Sequence, residues 1–252
     1  MAYEKNGPRI FSIDDGKAEK AQKYGWLNAI HYMAPASLAG VGNLCPYATP
    51  GCLALCLGEH SGQAGIVKKG EEYTGINNTR ASRRAKAVLF MKDRANYVSR
   101  IASEIAKASR KASRLGLKLC IRLNGSTDIA WEGIAVTWQG AKFRNLMTAG
   151  PGVQFLDYTK NAARMAKARP VNYYLILSRS ETNEAECAAV LRNGHGNVAI
   201  VSETIPATWQ GFPVVSGDDH DLRHLDPAGH VVALSPKGRQ AAKDITGFVI
   251  RG

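Results

Sequence analysis

Residues 172–201 read Asn172-Tyr-Tyr-Leu-Ile-Leu177-Ser-Arg-Ser-Glu181-Thr-Asn-Glu-Ala-Glu-Cys187-Ala-Ala-Val-Leu-Arg-Asn193-Gly-His-Gly-Asn197-Val-Ala-Ile-Val201. Two apolar runs, 172–177 and 197–201, flank a helix-like stretch over 183–193. The runs are continuously apolar rather than alternating, the mark of strands covered on both faces, as in parallel sheets. Strand–helix–strand alternation of this kind argues for an α/β fold. The pattern extends outward to apolar runs at 117–123, 153–158, 212–215, 231–234 and 247–250, with an N-terminal strand near 26–32. Helix-like segments at 141–149 and 161–168 lie between some of them. The strand count approaches the eight of a (β/α) barrel. The expectation is therefore a compact (β/α) barrel with some helices shortened, forming a single α/β domain over 1–252. An open parallel α/β sheet is the alternative.

Composition narrows the class. The chain has 252 residues, 45% apolar and 21% charged, which excludes a disordered or fibrous protein. No run approaches the roughly 20 apolar residues of a membrane span. The N-terminus lacks a secretory pattern, so the expected compartment is the cytoplasm. Neither a G-x-G-x-x-G nor a G-x-x-x-x-G-K-[ST] loop occurs, which argues against a nucleotide cofactor or an ATPase. The net charge is +12, and a protein this basic is expected to meet a polyanion, nucleic acid first. Eleven basic residues against two acids fall within 79–114, a stretch without Pro or Gly that reads as one long helix or two in succession. Arg80, Arg83, Arg84, Arg110 and Lys111 are its candidate phosphate contacts. A merely solvated helix face is the plainer reading.

Three of the five cysteines cluster in Cys45-Pro-Tyr-Ala-Thr-Pro-Gly-Cys52-Leu-Ala-Leu-Cys56-Leu-Gly-Glu-His60, a C-x6-C-x3-C spacing followed by a histidine. In a reducing compartment such a cluster suggests a metal loop over 45–60. Three thiolates and His60 would close a tetrahedral zinc site. Three thiolates with an open fourth position would instead suit an iron–sulfur cluster, although the spacing is not the C-x3-C-x2-C of radical enzymes that use S-adenosylmethionine. Buried free thiols are the alternative. Cys120 and Cys187 are expected in the core.

In parallel α/β sheets the active site lies at the carboxyl ends of the strands. Those ends carry Asn124-Gly-Ser-Thr-Asp128, Asp157-Tyr-Thr-Lys160, Ser178-Arg-Ser-Glu181, Ser202-Glu203 and Gly217-Asp218-Asp-His-Asp221. A rim of carboxylates on a basic protein points to an enzyme. Each acid taken alone also has a structural reading as a cap or a turn, with Asp221 paired to Arg223. Converging carboxylates suit metal-dependent phosphodiester cleavage or displacement at a sugar carbon by a nucleophile and a general acid/base. Trp131, Tyr158, Tyr174 and Trp209 are candidate stacking partners for a flipped base.

Cys45-Pro with Cys52 and Cys56, the 123–128 and 155–160 strand ends, Ser178-Arg-Ser-Glu181 and Gly217-Asp-Asp-His-Asp221 together resemble DpdA-type DNA guanine/7-deazaguanine transglycosylases of tailed phages, relatives of tRNA-guanine transglycosylase. The resemblance covers most of the chain from about residue 26 onward. It implies a zinc-containing (β/α) barrel in the cytoplasm of an infected host. It also implies exchange of guanine in double-stranded DNA for a 7-deazaguanine base, with an Asp nucleophile at C1′ and a second Asp as acid/base. The cysteine cluster departs from the tRNA enzymes, whose zinc motif lies toward the C-terminus with another spacing. By strand-end position, Asp128 or Asp218 is the expected nucleophile and Asp157 the acid/base. Asn124, Lys160, Ser178, Glu181, Glu203 and Asp221 are expected to bind the substrate. An iron–sulfur enzyme acting on nucleic acid or a nucleoside, and a non-enzymatic zinc-containing DNA-binding protein, are the competing expectations.

Overall fold

The computed structural model describes residues 8–13, 20–60, 62–65 and 76–251. The first five residues, read above for a leader, lie outside them. The core of the fold is a mostly parallel sheet of ten strands. Its order begins β1 (Phe11–Ser12), β2 (Trp26–His31), β3 (Lys118–Arg122), β6 (Gln154–Thr159) and β7 (Tyr173–Ser178). It continues through β8 (Val198–Ser202), β11 (Val231–Leu234) and β10 (Phe212–Ser216) to β9 (Thr208–Trp209). β2, β3, β6, β7, β8, β11 and β10 pair in parallel in that order, with registers such as Asn28↔Cys120, Asp157↔Leu175 and Ala199↔Val232. β12 (Val249–Ile250) pairs with the end of β8 through Val249↔Val201, beyond the last β7 pair, Ser178↔Ala199.

The expected barrel is not closed by strand pairing among the described residues. Antiparallel β1 lies on the outer edge of β2, and antiparallel β9 on the outer edge of β10. The two edges of the path each carry a two-residue antiparallel strand, so the described residues show a large, mostly parallel sheet and no closed barrel.

The continuous apolar runs are explained by two covered faces. Leu119, Ile121, Phe155, Tyr173, Leu175 and Leu177 point into the main core. There they share one cluster with Phe90 and Ala87 of helix α3 (Asn78–Lys92) and Val98, Ile101 and Ile105 of α4 (Arg94–Arg114). The alternate residues Cys120 and Leu156 pack on Leu222, and Ile176 and Ala199 on Val232. The long basic segment is thus two helices. They break at Asp93, whose side chain accepts from the Asn96 N–H and caps α4. Cys120 and Cys187 are fully buried, as expected.

Two helix readings are corrected. Residues 141–149 hold β5 (Ala141–Phe143), paired with β4 (Val136–Trp138), and then only a short helix, α5 (Leu146–Ala149). The hairpin turns on Gln139 and Gly140, both at positive φ (50° and 77°), as a tight two-residue turn requires. Residues 161–168 hold only a 3-10 turn, Ala162–Arg164. The expected helix at 183–193 forms as α6 (Glu184–Arg192).

Candidate active site at the strand ends

Parallel pairing brings the carboxyl ends of the strands to one edge of the sheet. A cavity of about 220 Å³ opens there. Asn124 to Asp128 after β3, Tyr158 to Lys160 at the end of β6, and Ser178 on β7 line it. Asp221, Ser235 and Lys237 come from beyond β10 and β11, and Cys45, Cys52 and Cys56 from the loop after β2. Apolar Leu53, Leu55, Phe248 and Val249 complete the wall.

Asn124 organises the loop after β3. Its buried Oδ1 accepts from the Thr127 hydroxyl (2.9 Å), the Ile129 N–H (3.1 Å) and the Trp131 indole N–H (3.0 Å). Its own N–H donates to Asp157 Oδ1 at 2.6 Å. Trp131 is therefore fully buried beneath this loop and not available to stack on a base. At Gly125 an added Cβ would stand 2.6 Å from the His31 carbonyl oxygen, a backbone atom with little freedom to move. Gly125→Ala is accordingly expected to cost about 1–3 kcal/mol, read as a lower urea midpoint, and to displace the loop that carries Asp128.

Asp128 lines the cavity with both carboxylate oxygens engaged. Oδ1 accepts from Arg164 Nη1 at 3.0 Å, and Oδ2 from the Lys160 N–H at 2.8 Å. Arg164 also grips Glu132 with two bonds of 2.9 and 2.8 Å and donates to the Tyr173 hydroxyl at 3.1 Å. Tyr173 in turn donates to Asp157 Oδ2 at 3.0 Å. Asp157, the expected acid/base, is fully buried on the face that carries Phe155, toward the helices, and does not line the cavity. Side chains alternate along β6, so Tyr158 takes the cavity face instead. Burial pushes the Asp157 carboxyl up to about 7, against the pull of the Asn124 N–H and Tyr173.

The remaining strand-end candidates divide in the same way. Asp221 lines the cavity and pairs with Arg122 at 3.2 Å, not with Arg223, which pairs with Asp226. The Arg122 guanidinium also lies 4.5 Å from the centre of the Tyr158 ring. Lys160 donates to Ser178 Oγ at 3.0 Å and sits over the Phe248 ring. Asp218 stands off the cavity wall, accepting from the Ser235 N–H and paired with Lys237. Its carboxyl lies below the usual value, because the Ser235 and Lys237 contacts outweigh the upward push of burial. Glu203 pairs with Arg251 on the surface, away from the cavity.

Glu181 holds the cysteine loop. It accepts from the Thr49 hydroxyl at 2.8 Å and the Gly51 N–H at 2.7 Å, the start of helix α1 (Pro50–Ala54), which carries Cys52. From the other side Arg83 donates to the Gly58 carbonyl, and Arg80 donates to Ala64 O at 2.9 Å and pairs with Glu59. Arg80 and Arg83, expected to face phosphate, are therefore buried, at 3% and 8% exposure, in the scaffold of this loop. Arg84 is half-buried. Arg110 and Lys111 lie in the last turns of α4, which leads directly into the start of β3, and so stand at the edge of the sheet opposite the cavity. Arg110 and Lys111 are therefore not beside the acidic rim.

All three cysteines are free and half-buried. Burial pushes the Cys45 thiol up to about 11 and Cys56 to about 12, and raises Cys52 against the pull of Lys160. His60 ends helix α2 (Leu57–His60) and does not line the cavity. Among the described residues no three His, Cys, Asp or Glu side chains stand in a ligating array. Cys45 Sγ instead accepts from the Ala36 N–H at 3.2 Å and lies 3.7 Å from Ser126 O.

Arg122, Arg164 and Tyr173 escaped the sequence reading, since their partners are distant in the chain. Of the candidate aromatics, Tyr158 lines the cavity. No curated protein and no solved structure matches the chain. A family model described as "Gene product 88" matches residues 9–252, nearly the whole length, and the chain belongs to that family.

Proposed function

We propose that this protein is an enzyme that modifies a base of nucleic acid in the strand-end cavity, and that its chemistry is base exchange on DNA. The observation that carries the reading is the convergence of Asn124, Asp128, Lys160, Ser178 and Asp221 on one cavity, although they come from four separate strand ends. Asp128, oriented by Arg164 and the Lys160 N–H, attacks C1′ of a flipped nucleotide. Guanine leaves as the glycosidic bond breaks, taking a proton from an acid in the cavity. A 7-deazaguanine base then gives its N9 proton to a carboxylate of the cavity, attacks C1′ and releases Asp128. Asp221, ion-paired with Arg122, replaces Asp157 as the candidate base for the proton of the incoming purine, because it lines the cavity and Asp157 does not. Asp157 becomes a positioning residue behind Asn124. Incubation with duplex DNA and labelled guanine is expected to put label into DNA with the wild type and not with Asp128→Asn. Unlabelled DNA with the wild type would overturn the reading.

One observation favours a second reading, an iron–sulfur enzyme acting on a nucleoside. The three cysteines line this same cavity, whereas His60, the ligand that would close a zinc site, does not. In that case Asp128 and Asp221 bind the substrate instead of attacking it.

A further inference from the structure

We propose that Cys45, Cys52 and Cys56 together hold an iron–sulfur cluster whose remaining coordination position opens onto the strand-end cavity. The loop that carries them is built around a fixed geometry. Glu181 anchors its middle at Thr49 and Gly51, Arg83 anchors its end at Gly58, and the Asp128 N–H donates to Leu44 O at its start. These anchors bring three cysteines, up to eleven residues apart in sequence, to one cavity wall, although their side chains do not stand in a ligating array as they are. None of the three is spent in a disulfide.

The donor set decides the class of cofactor. Thiolates select zinc, copper(I) or iron–sulfur centres, and a structural zinc takes four protein ligands. A fourth is not at hand on the cavity wall. His60 lies elsewhere, and the two carboxylates there, Asp128 and Asp221, are each held by an arginine. The cavity, at about 220 Å³, offers far more room than one ion needs. A cluster bound by three thiolates is anionic overall, and Lys160 on the same wall offsets that charge. Binding requires the Cys45 thiol to turn from Ser126 O into the cavity. Three thiol protons leave to solvent as three iron–thiolate bonds form, and no change in oxidation state of the protein is involved.

The inference takes from the proposed function only that the cavity is the reactive site. A cluster without nucleoside chemistry would remove the functional reading and leave this one standing. The full chain is purified anaerobically, supplied with ferric iron, sulfide and dithiothreitol, and analysed for iron, sulfide and zinc. About four iron and four sulfide per chain are expected, with a broad visible absorption. Cys45→Ser, Cys52→Ser and Cys56→Ser should each lose most of the iron while circular dichroism shows them folded. Cys120→Ser serves to gauge loss of iron through misfolding alone, and Cys187→Ala is expected to keep the wild-type content. Added cyanide should shift the electron paramagnetic resonance spectrum of the reduced cluster through its open position. Stoichiometric zinc without sulfide, a colourless reconstituted protein, or a cluster untouched by the three substitutions would overturn the proposal. If a variant does not fold, the wild-type metal content and the cyanide response still decide it.

Discussion

Arg164→Met is expected to destabilise the protein by roughly 3–5 kcal/mol, a large share of the 5–15 kcal/mol that holds an ordinary domain folded. Arg164 is buried, and its guanidinium is the shared partner of Asp128, Glu132 and Tyr173. Methionine fills much of the space but leaves the largely buried Asp128 carboxylate facing no cation. Most of the cost is that uncompensated charge, not the loss of an attraction. Arg164→Lys should recover only part of the loss, because an ammonium cannot make the two-bond grip on Glu132 while also reaching Asp128 and Tyr173. Urea unfolding checks this: the midpoint falls while the slope m stays unchanged. A midpoint within error of wild type for Arg164→Met would show that the network contributes nothing.

The second large effect depends on pH. Asp157 holds its proton up to about 7 in the folded chain, against an ordinary value of 3.8, because burial penalises the charged form. The native state therefore binds this proton more tightly than the unfolded chain does. Its contribution to stability is complete below about pH 4 and is lost as pH rises through about 7, by a few kcal/mol over the window. Asp157→Asn keeps an oxygen to accept from the Asn124 N–H and cannot ionise. Its stability is expected to stay flat between pH 5 and 8, and at pH 8 to exceed that of the wild type. Chemical unfolding across that range separates the two, and parallel slopes would refute the assignment. The network also joins the two predictions, since Tyr173 touches both Arg164 and Asp157. Their effects should not add.

The parallel strands were legible because both of their faces are covered, which leaves continuous apolar runs such as 172–177 and 197–201. Sheet closure was not legible. It depends on which strand edges pair, and the two-residue edge strands β1 and β9 leave almost no sequence signal. The β4–β5 hairpin was hidden because its turn is Gln139-Gly140 rather than the commoner Asn-Gly, and Gln210-Gly211 makes the same kind of turn between β9 and β10. The convergence of the strand ends and the cysteine loop followed from topology and could be anticipated. The face that each carboxylate takes could not be settled by position alone. One residue of register places Asp157 under the helices and Tyr158 in the cavity. The basic stretch was legible only in part, for a related reason. Its positive residues look alike in sequence, yet Arg80 and Arg83 are spent on the backbone of the cysteine loop, while Arg110 and Lys111 stand at the far edge of the sheet.

The central claim is that the strand-end cavity modifies nucleic acid through Asp128. Nucleoside mass spectrometry of DNA from cells expressing either the wild type or Asp128→Asn, both shown to be folded and equally abundant, tests it most directly. The account predicts a 7-deazaguanine nucleoside in the first DNA and none in the second. Unmodified DNA in both, or the same modified nucleoside in both, would contradict it.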